Sequence, residues 1–325
     1  MPKVSVIMSV YKEPIEWMKQ AIDSILRQTF KDFEFIIVND NPSREENNQI
    51  LSKYIKSDTR VKVITNDTNI GLTKSLNKGI KEANGEYIAR MDADDISLSL
   101  RFEKQVGYLD NNKDIFACGA SAYKIDDYNK EIGVYKVESD SNINRSLMPF
   151  KSPLIHPLAM FRRIYKGNLV LFDESYKYSQ DYALWSSYTL EKISNLDEIL
   201  LKYRITSSQI TSFHREEQIN LSHKIQEIAV NKLICVLREN DKDIFHKCYY
   251  INKFGILEFI KYINFIRHYI FDNVHNTAIN WYAVNDFLQK KGNLYLVSNY
   301  ICWIAIPFFL INKLLCKLYI RRTRA

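Results

Sequence analysis

Asp92, Asp94 and Asp95 place three carboxylates within four residues. Like charges this close repel one another unless a cation stands among them. A divalent ion, Mg²⁺ or Mn²⁺, takes one or two carboxylates and completes its shell with substrate phosphates. The plainer use of such a run is a solvated turn, with Asp95 or Ser97 capping a helix. Asp181 stands where a predicted helix opens, ahead of Leu184-Trp185. A carboxylate with an ordinary pKa of ~3.9 is already ionised at neutral pH and can take a proton from a hydroxyl. The same Asp would also serve as a helix cap. Lys74 lies in Gly71-Leu72-Thr73-Lys74, at the start of another predicted helix. Free N–H groups and the partial positive charge there suit an anionic ligand, although a solvated surface lysine has the same pattern. His156, before Pro157, and Arg204 complete the candidates. Each is suited to a phosphate or an acceptor, or to a structural contact; the Arg204 guanidinium can equally pair with an acid.

The elements that must position these groups alternate. Val4–Val10, Phe33–Val38, Val61–Thr65 and Tyr87–Met91 are predicted strands. Glu16–Arg27, Arg44–Lys56 and Leu72–Ala83 carry helical periodicity. Short apolar strands alternating with helices imply a mostly parallel sheet covered on both faces. Ligands of such sheets bind outside the carboxyl ends of the strands. Ser9–Glu13, Asn39–Asn41 and Asp92–Asp95 all follow strand ends, so three segments deliver polar groups to one edge. Beyond residue 115 the pattern is less regular, with extended stretches at Phe116–Tyr123 and Gly133–Lys136. A helix is predicted from Asp181 to about Glu191, and helical character prevails from His214 to Leu288.

Composition narrows the class. Hydrophobic residues make up 46% and charged residues 26% of 325 residues, enough for a sizeable core and against disorder. Lys and Arg number 45 against 38 Asp and Glu, a net +7. Lys313, Lys317, Arg321, Arg322 and Arg324 account for most of that excess, since without them 40 bases face 38 acids. A nearly neutral body argues against nucleic acid as a partner. Five scattered cysteines without a CxxC pair argue against a zinc site or a disulfide framework, and fit a reducing cytoplasm.

Val4-Ser5-Val6-Ile7-Met8-Ser9-Val10-Tyr11, Gln28-Thr29-Phe30 and Phe35-Ile36-Ile37-Val38-Asn39-Asp40 fall in order along the chain. Asn69 with Gly71-Leu72, Gly85-Glu86-Tyr87-Ile88-Ala89 and Asp92-Ala93-Asp94-Asp95 follow. Together these runs resemble the family 2 inverting glycosyltransferases, over about residues 3–210. The resemblance implies an α/β GT-A fold, Rossmann-like, with a helical C-terminal region. It implies that Ser9, Tyr11 and Glu13 line a nucleotide pocket and that Asp40 accepts from the uracil N3–H. An acceptor-only carboxylate suits a donating base edge, and guanine N1–H also donates. It implies that Asp94 is the direct metal ligand and that Asp92 meets the donor ribose or the metal shell. Asp181 is the implied general base, and His156 and Arg204 contacts to donor phosphate or acceptor. Departures are Asn39 and Asn41-Pro42 in place of Asp and Gly-Ser, Lys12 in place of Asn, and Gln180 in place of Glu. The implied activity is transfer of a hexose or N-acetylhexosamine from a UDP-sugar to a hydroxyl of a glycan or lipid-linked oligosaccharide, in bacterial surface polysaccharide synthesis. A lipid-phosphate acceptor, or a non-catalytic nucleotide-sugar-binding or glycan-binding subunit, is the alternative.

The chain is expected to divide at 1–210, 211–292 and 293–325. Leu294–Ile311 is 18 residues without a charge, followed by the basic cluster. As a helix it would measure ~27 Å, slightly short of a ~30 Å hydrocarbon core. An apolar segment with a basic end suits the inner leaflet of a bacterial cytoplasmic membrane, lying on it from the cytoplasmic side. A single span, or a buried helix with a solvated basic end, has the same composition.

Overall fold

Val4–Val10 buries every side chain, as a strand covered on both faces must, and forms β1. It is followed by α1 (Ile15–Leu26), β2 (Phe33–Asn39), α2 (Glu45–Ser57), β3 (Val61–Thr65), α3 (Leu72–Glu82) and β4 (Tyr87–Met91). β5 (Ile96–Ser97), α4 (Arg101–Asn111), β6 (Ile115–Ile125), β7 (Glu131–Tyr135) and α5 (Ser141–Leu147) come next. A 3₁₀ turn at His156–Leu158 leads to β8 (Met160–Arg162), β9 (Ile164–Tyr165), β10 (Asn168–Leu169), α6 (Gln180–Ser187) and β11 (Lys192–Arg204). This computed structural model describes residues 1–206 and helical positions 221, 222, 224–226, 228, 229, 231 and 232. The rest of 211–292, and the apolar and basic segment 293–325, lie outside the described residues.

The main sheet runs β3-β2-β1-β4-β8-β6-β11-β5, with β7 paired to β6. β3, β2, β1 and β4 are mutually parallel, and β11 is parallel to β6. β8 runs antiparallel between β4 and β6 and joins the two parallel groups. The carboxyl ends of β1, β2 and β4 therefore open on one edge, where the polar clusters stand.

Two apolar layers cover the sheet. Met18, Ala21, Ile22 and Ile25 of α1, with Phe102, Val106 and Leu109 of α4, bury one face. Leu76 and Ile80 of α3, with Leu184 and Trp185 of α6, bury the other. Each fully buried Leu, Ile or Phe contributes about 1.5–3 kcal/mol against conformational entropy. Ile225 clusters with Tyr182 and Ala183, so the helical position at Ile225 is seated on α6. Gly85, at the turn into β4, admits no side chain: a Cβ there would lie 2.5 Å from the Ser5 backbone nitrogen. This close approach accounts for the glycine in Gly85-Glu86-Tyr87.

Candidate active site

The loop after β1 is held by the start of α2. Asn47 Nδ2 donates to the Tyr11 carbonyl at 3.0 Å, and Arg44 Nη1 donates to the Glu13 carbonyl at 2.8 Å. Glu13 Oε2 in turn accepts from the Tyr11 N–H at 2.7 Å. Ser9 is buried, and Tyr11 is exposed at the mouth of the loop. Asn39 explains its own departure from an acid. Its amide donates to Asn48 Oδ1 at 2.9 Å while its Oδ1 accepts from the Asn41 N–H at 3.1 Å, and a carboxylate has no donor for the first bond.

Asp40 is 2% exposed. Its carboxylate accepts from Asn66 Nδ2 at 2.8 Å and from the N–H groups of Ile70 and Gly71, each at 2.9 Å. These three bonds take most of a carboxylate's roughly four acceptor sites. They fasten the carboxyl end of β2 to the loop before α3, where Gly71 has a left-handed φ of 87°.

Glu13, Asp92 and Asp94 converge at the carboxyl end of β4. Burial, then the charges of Asp92 and Glu13, push the Asp94 carboxyl up to about 7. Burial also raises Glu13, against the pull of the Tyr11 N–H, and Asp92 adds to the rise. Asp92 meets the guanidinium of Arg90, a side chain only 1% exposed. Behind it, buried Arg101 donates to the Arg90 carbonyl at 2.7 Å and to Gln105 Oε1 at 2.9 Å. Asp95 is buried; one oxygen accepts from the Arg204 N–H at 2.8 Å and the other has no partner.

Arg204 lies beneath the acidic turn, where its guanidinium serves backbone and side-chain acceptors. Its side chain is fully buried. Nε donates to the Asp94 carbonyl at 2.7 Å, Nη1 to the Asp126 carbonyl at 2.9 Å and Nη2 to Asn129 Oδ1 at 2.7 Å. The guanidinium also lies 4.6 Å from the Trp17 ring centroid. Arg204 thus ties the acidic turn to the β6–β7 turn and to α1. Lys74 is exposed on the first turn of α3.

Asp181 lies in the first turn of α6, after Ser179 with a left-handed φ of 57°. Tyr182 next to it donates to the Met148 carbonyl at 2.5 Å and so fixes the helix start. Gln180 is 5% exposed. His156 Nε2 is buried without a partner, and the ring stands edge-on to Phe172 at 5.6 Å. Burial, then the charge of Arg90, lowers the His156 pKa, while Asp181 and Asp92 pull it back up. His156 is therefore near both acids. The site places Glu13, Asp92 and Asp94 at neighbouring strand ends, while the His156 ring packs against Phe172. Sequence reasoning missed Arg90, whose only signal was its place two residues before Asp92. Among the described residues no three His, Cys, Asp or Glu side chains form a complete metal-holding group, and no helix is long and apolar enough to cross a membrane.

The model of the family described as "Glycosyl transferase family 2" matches residues 5–167. The chain is 40% identical over 208 residues to an uncharacterized glycosyltransferase, MJ1057, of Methanocaldococcus jannaschii, covering 63% of this chain and 71% of that one. It is 36% identical over 210 residues to the O-antigen biosynthesis glycosyltransferase WbnJ of Escherichia coli, covering 62% of this chain and 79% of that one. The fold matches that of Staphylococcus aureus TarS residues 1–349, solved with UDP-GlcNAc, with a TM-score of 0.60 and 20% identity, covering 82% of this chain and 80% of that one.

Proposed function

Because the chain belongs to glycosyl transferase family 2 and has the GT-A fold, we propose that it moves a hexose or N-acetylhexosamine from a UDP-sugar to a hydroxyl, with inversion. The acceptor is a glycan or lipid-linked oligosaccharide in the synthesis of a bacterial surface polysaccharide. The relative named for O-antigen biosynthesis supports that acceptor class, and the UDP-GlcNAc bound to TarS supports the donor class.

The acidic turn Asp92–Asp95 at the carboxyl end of β4, beside the loop after β1 that holds Glu13, carries the reading. Burial and then the charges of Asp92 and Glu13 raise the Asp94 carboxyl, a surplus of negative charge that a divalent cation would relieve, and the hard oxygen donors suit Mg²⁺ or Mn²⁺. Asp94 would hold it directly, with Asp92 beside it. Such an ion supplies charge to offset the diphosphate as the sugar bond breaks. Ser9, Tyr11 and Glu13 line the nucleotide side, and Asp40 uses its remaining acceptor capacity on the base. His156 and Lys74 complete the polar surroundings of the donor phosphates.

Asp181 takes the proton of the acceptor hydroxyl. The hydroxyl oxygen forms its bond to the anomeric carbon while the bond to the UDP oxygen breaks on the opposite face, so an α-linked donor gives a β-linked product. Residues 293–325 keep the enzyme on the inner face of the cytoplasmic membrane, where a lipid-linked acceptor is presented. UDP release from a panel of UDP-sugars, with membrane lipid extract as acceptor source, tests this. Release for one donor that is lost on chelation, and lost in Asp94→Asn, is expected. Metal-independent release, or full activity in Asp94→Asn, contradicts the reading.

A further inference from the structure

Tyr135 and Tyr203 stand beside the site and have no part in the mechanism above. The strand registers pair Ala122 with Tyr135 and Leu201, and Lys124 with Gly133 and Tyr203. Laterally paired residues share a sheet face, and so do residues two apart on a strand. Tyr135, Lys124 and Tyr203 therefore occupy one face. The contacts agree: the two rings meet edge-to-face at 6.4 Å, and Lys124 Nζ lies 5.4 Å from the Tyr135 centroid. Tyr203 directly precedes Arg204, which holds the Asp94 carbonyl. The Tyr135 phenol is raised by burial and by the charge of Asp181; that of Tyr203 is raised by burial and by Asp95, Asp92 and Asp94. The ring pair thus adjoins the acidic turn through Tyr203 and Arg204.

Three features exceed what a packing aromatic needs. Tyr135 is 46% exposed although it borders the site. Gly133, next on the same face, has no side chain, and a Cβ added there would meet nothing within 4 Å. The space beside the ring is open. Lys124 has no hydrogen-bond or ion-pair partner among the described residues, and its ammonium has only the ring contact. A pyranose matches this arrangement. Its C–H face carries slight positive charge and suits the negative face of an aromatic ring, while its hydroxyls suit the Lys124 ammonium. Apolar Ile132 and Val134 alternate to the opposite face of β7, so the face toward the site is amphipathic and fits a sugar better than a lipid chain.

We propose that Tyr135, flanked by Lys124 and Tyr203, is the platform on which the acceptor saccharide stacks while its hydroxyl is presented to Asp181. This rests on the reading of Asp181 as the base. The test is saturation-transfer NMR on the full chain with methyl β-glucopyranoside, methyl β-galactopyranoside and methyl N-acetyl-β-glucosaminide, alongside calorimetry with UDP. At least one glycoside should bind wild type and Tyr135→Phe alike. It should bind about tenfold more weakly to Tyr135→Ala, the upper end of an aromatic contact. Tyr135→Leu keeps apolar bulk without a ring face and should lose the sugar in the same way, with UDP affinity unchanged in all variants. Equal glycoside binding in Tyr135→Leu, or no glycoside binding to wild type, overturns the platform. Absence of UDP binding to wild type contradicts the proposed function instead, so the two failures are separable.

Discussion

Arg204→Ala should unfold the site before it weakens the donor. The substitution removes a fully buried guanidinium and its bonds to the Asp94 and Asp126 carbonyls and to Asn129. Hydrogen bonds from a charged group contribute about 1.5–3 kcal/mol each but do not add, because the surroundings relax together. The Arg204 N–H survives in alanine, so Asp95 keeps its one bond; what it loses is the neighbouring positive charge. Removing one partner from a buried charge cluster costs about 3–5 kcal/mol. We take that as the expected loss, since Arg204 also vacates its place against Trp17. For a domain of this size the melting temperature should fall by about 6–20 °C. The assay is thermal and urea unfolding of the full chain, with UDP affinity measured at a temperature where the variant is still folded. A stability within about 1 kcal/mol of wild type, accompanied by a large loss of UDP affinity, would refute the reasoning and return Arg204 to the donor phosphates.

Gly85→Ala should cost at least about 3 kcal/mol in urea unfolding, because the new Cβ meets the Ser5 backbone at 2.5 Å and backbone yields less than a side chain; a neutral result would mean that the β1–β4 edge gives way. Asp110 carries a pH dependence. Burial opposes its ionisation, but hydrogen bonds from Lys3, Tyr87 and Lys113 outweigh it and bring its pKa to about 2. The folded value lies below the unfolded ~3.9, so the stabilisation is present above about pH 4 and is lost as pH falls toward 2. With the side chain 35% exposed, solvent screening leaves about 1 kcal/mol. Asp110→Asn should remove that part of the acid slope and lower stability at pH 7 by the same amount.

The parallel half of the fold was legible because its strands are short, apolar and separated by amphipathic helices. Val61–Thr65 and Tyr87–Met91 match their predicted bounds, and α1 and α2 lie within a residue of theirs. Two elements gave little signal. α4 turns Arg101 and Gln105 toward the core with Phe102 and Val106, so its inward stripe is not apolar and its helical period is masked. β11 pairs irregularly with β6 between Leu196 and Leu201, which breaks the period-two pattern, and the helix predicted to reach Glu191 ends at Ser187.

Of the site, the acidic turn and its place at a strand end were readable from charge repulsion and topology. The use of Arg204 was not, because its partners Gln20, Asp94 and Asn129 come from segments 75–184 residues away. Asp40 was readable as an acceptor, but the donors that occupy it lie 26–31 residues further along, in a loop with no periodic pattern. Asn39 shows the converse: a departure from the family pattern becomes intelligible once Asn48 is beside it.

The most direct test of the central claim is the comparison of Asp181→Asn with wild type in two measurements on the same preparation, kcat for sugar transfer and Kd for UDP. If Asp181 accepts the hydroxyl proton, kcat should fall by about 10²–10⁴-fold with the UDP Kd unchanged. A kcat within a few-fold of wild type, or a UDP Kd that rises in step with the loss, would contradict the account.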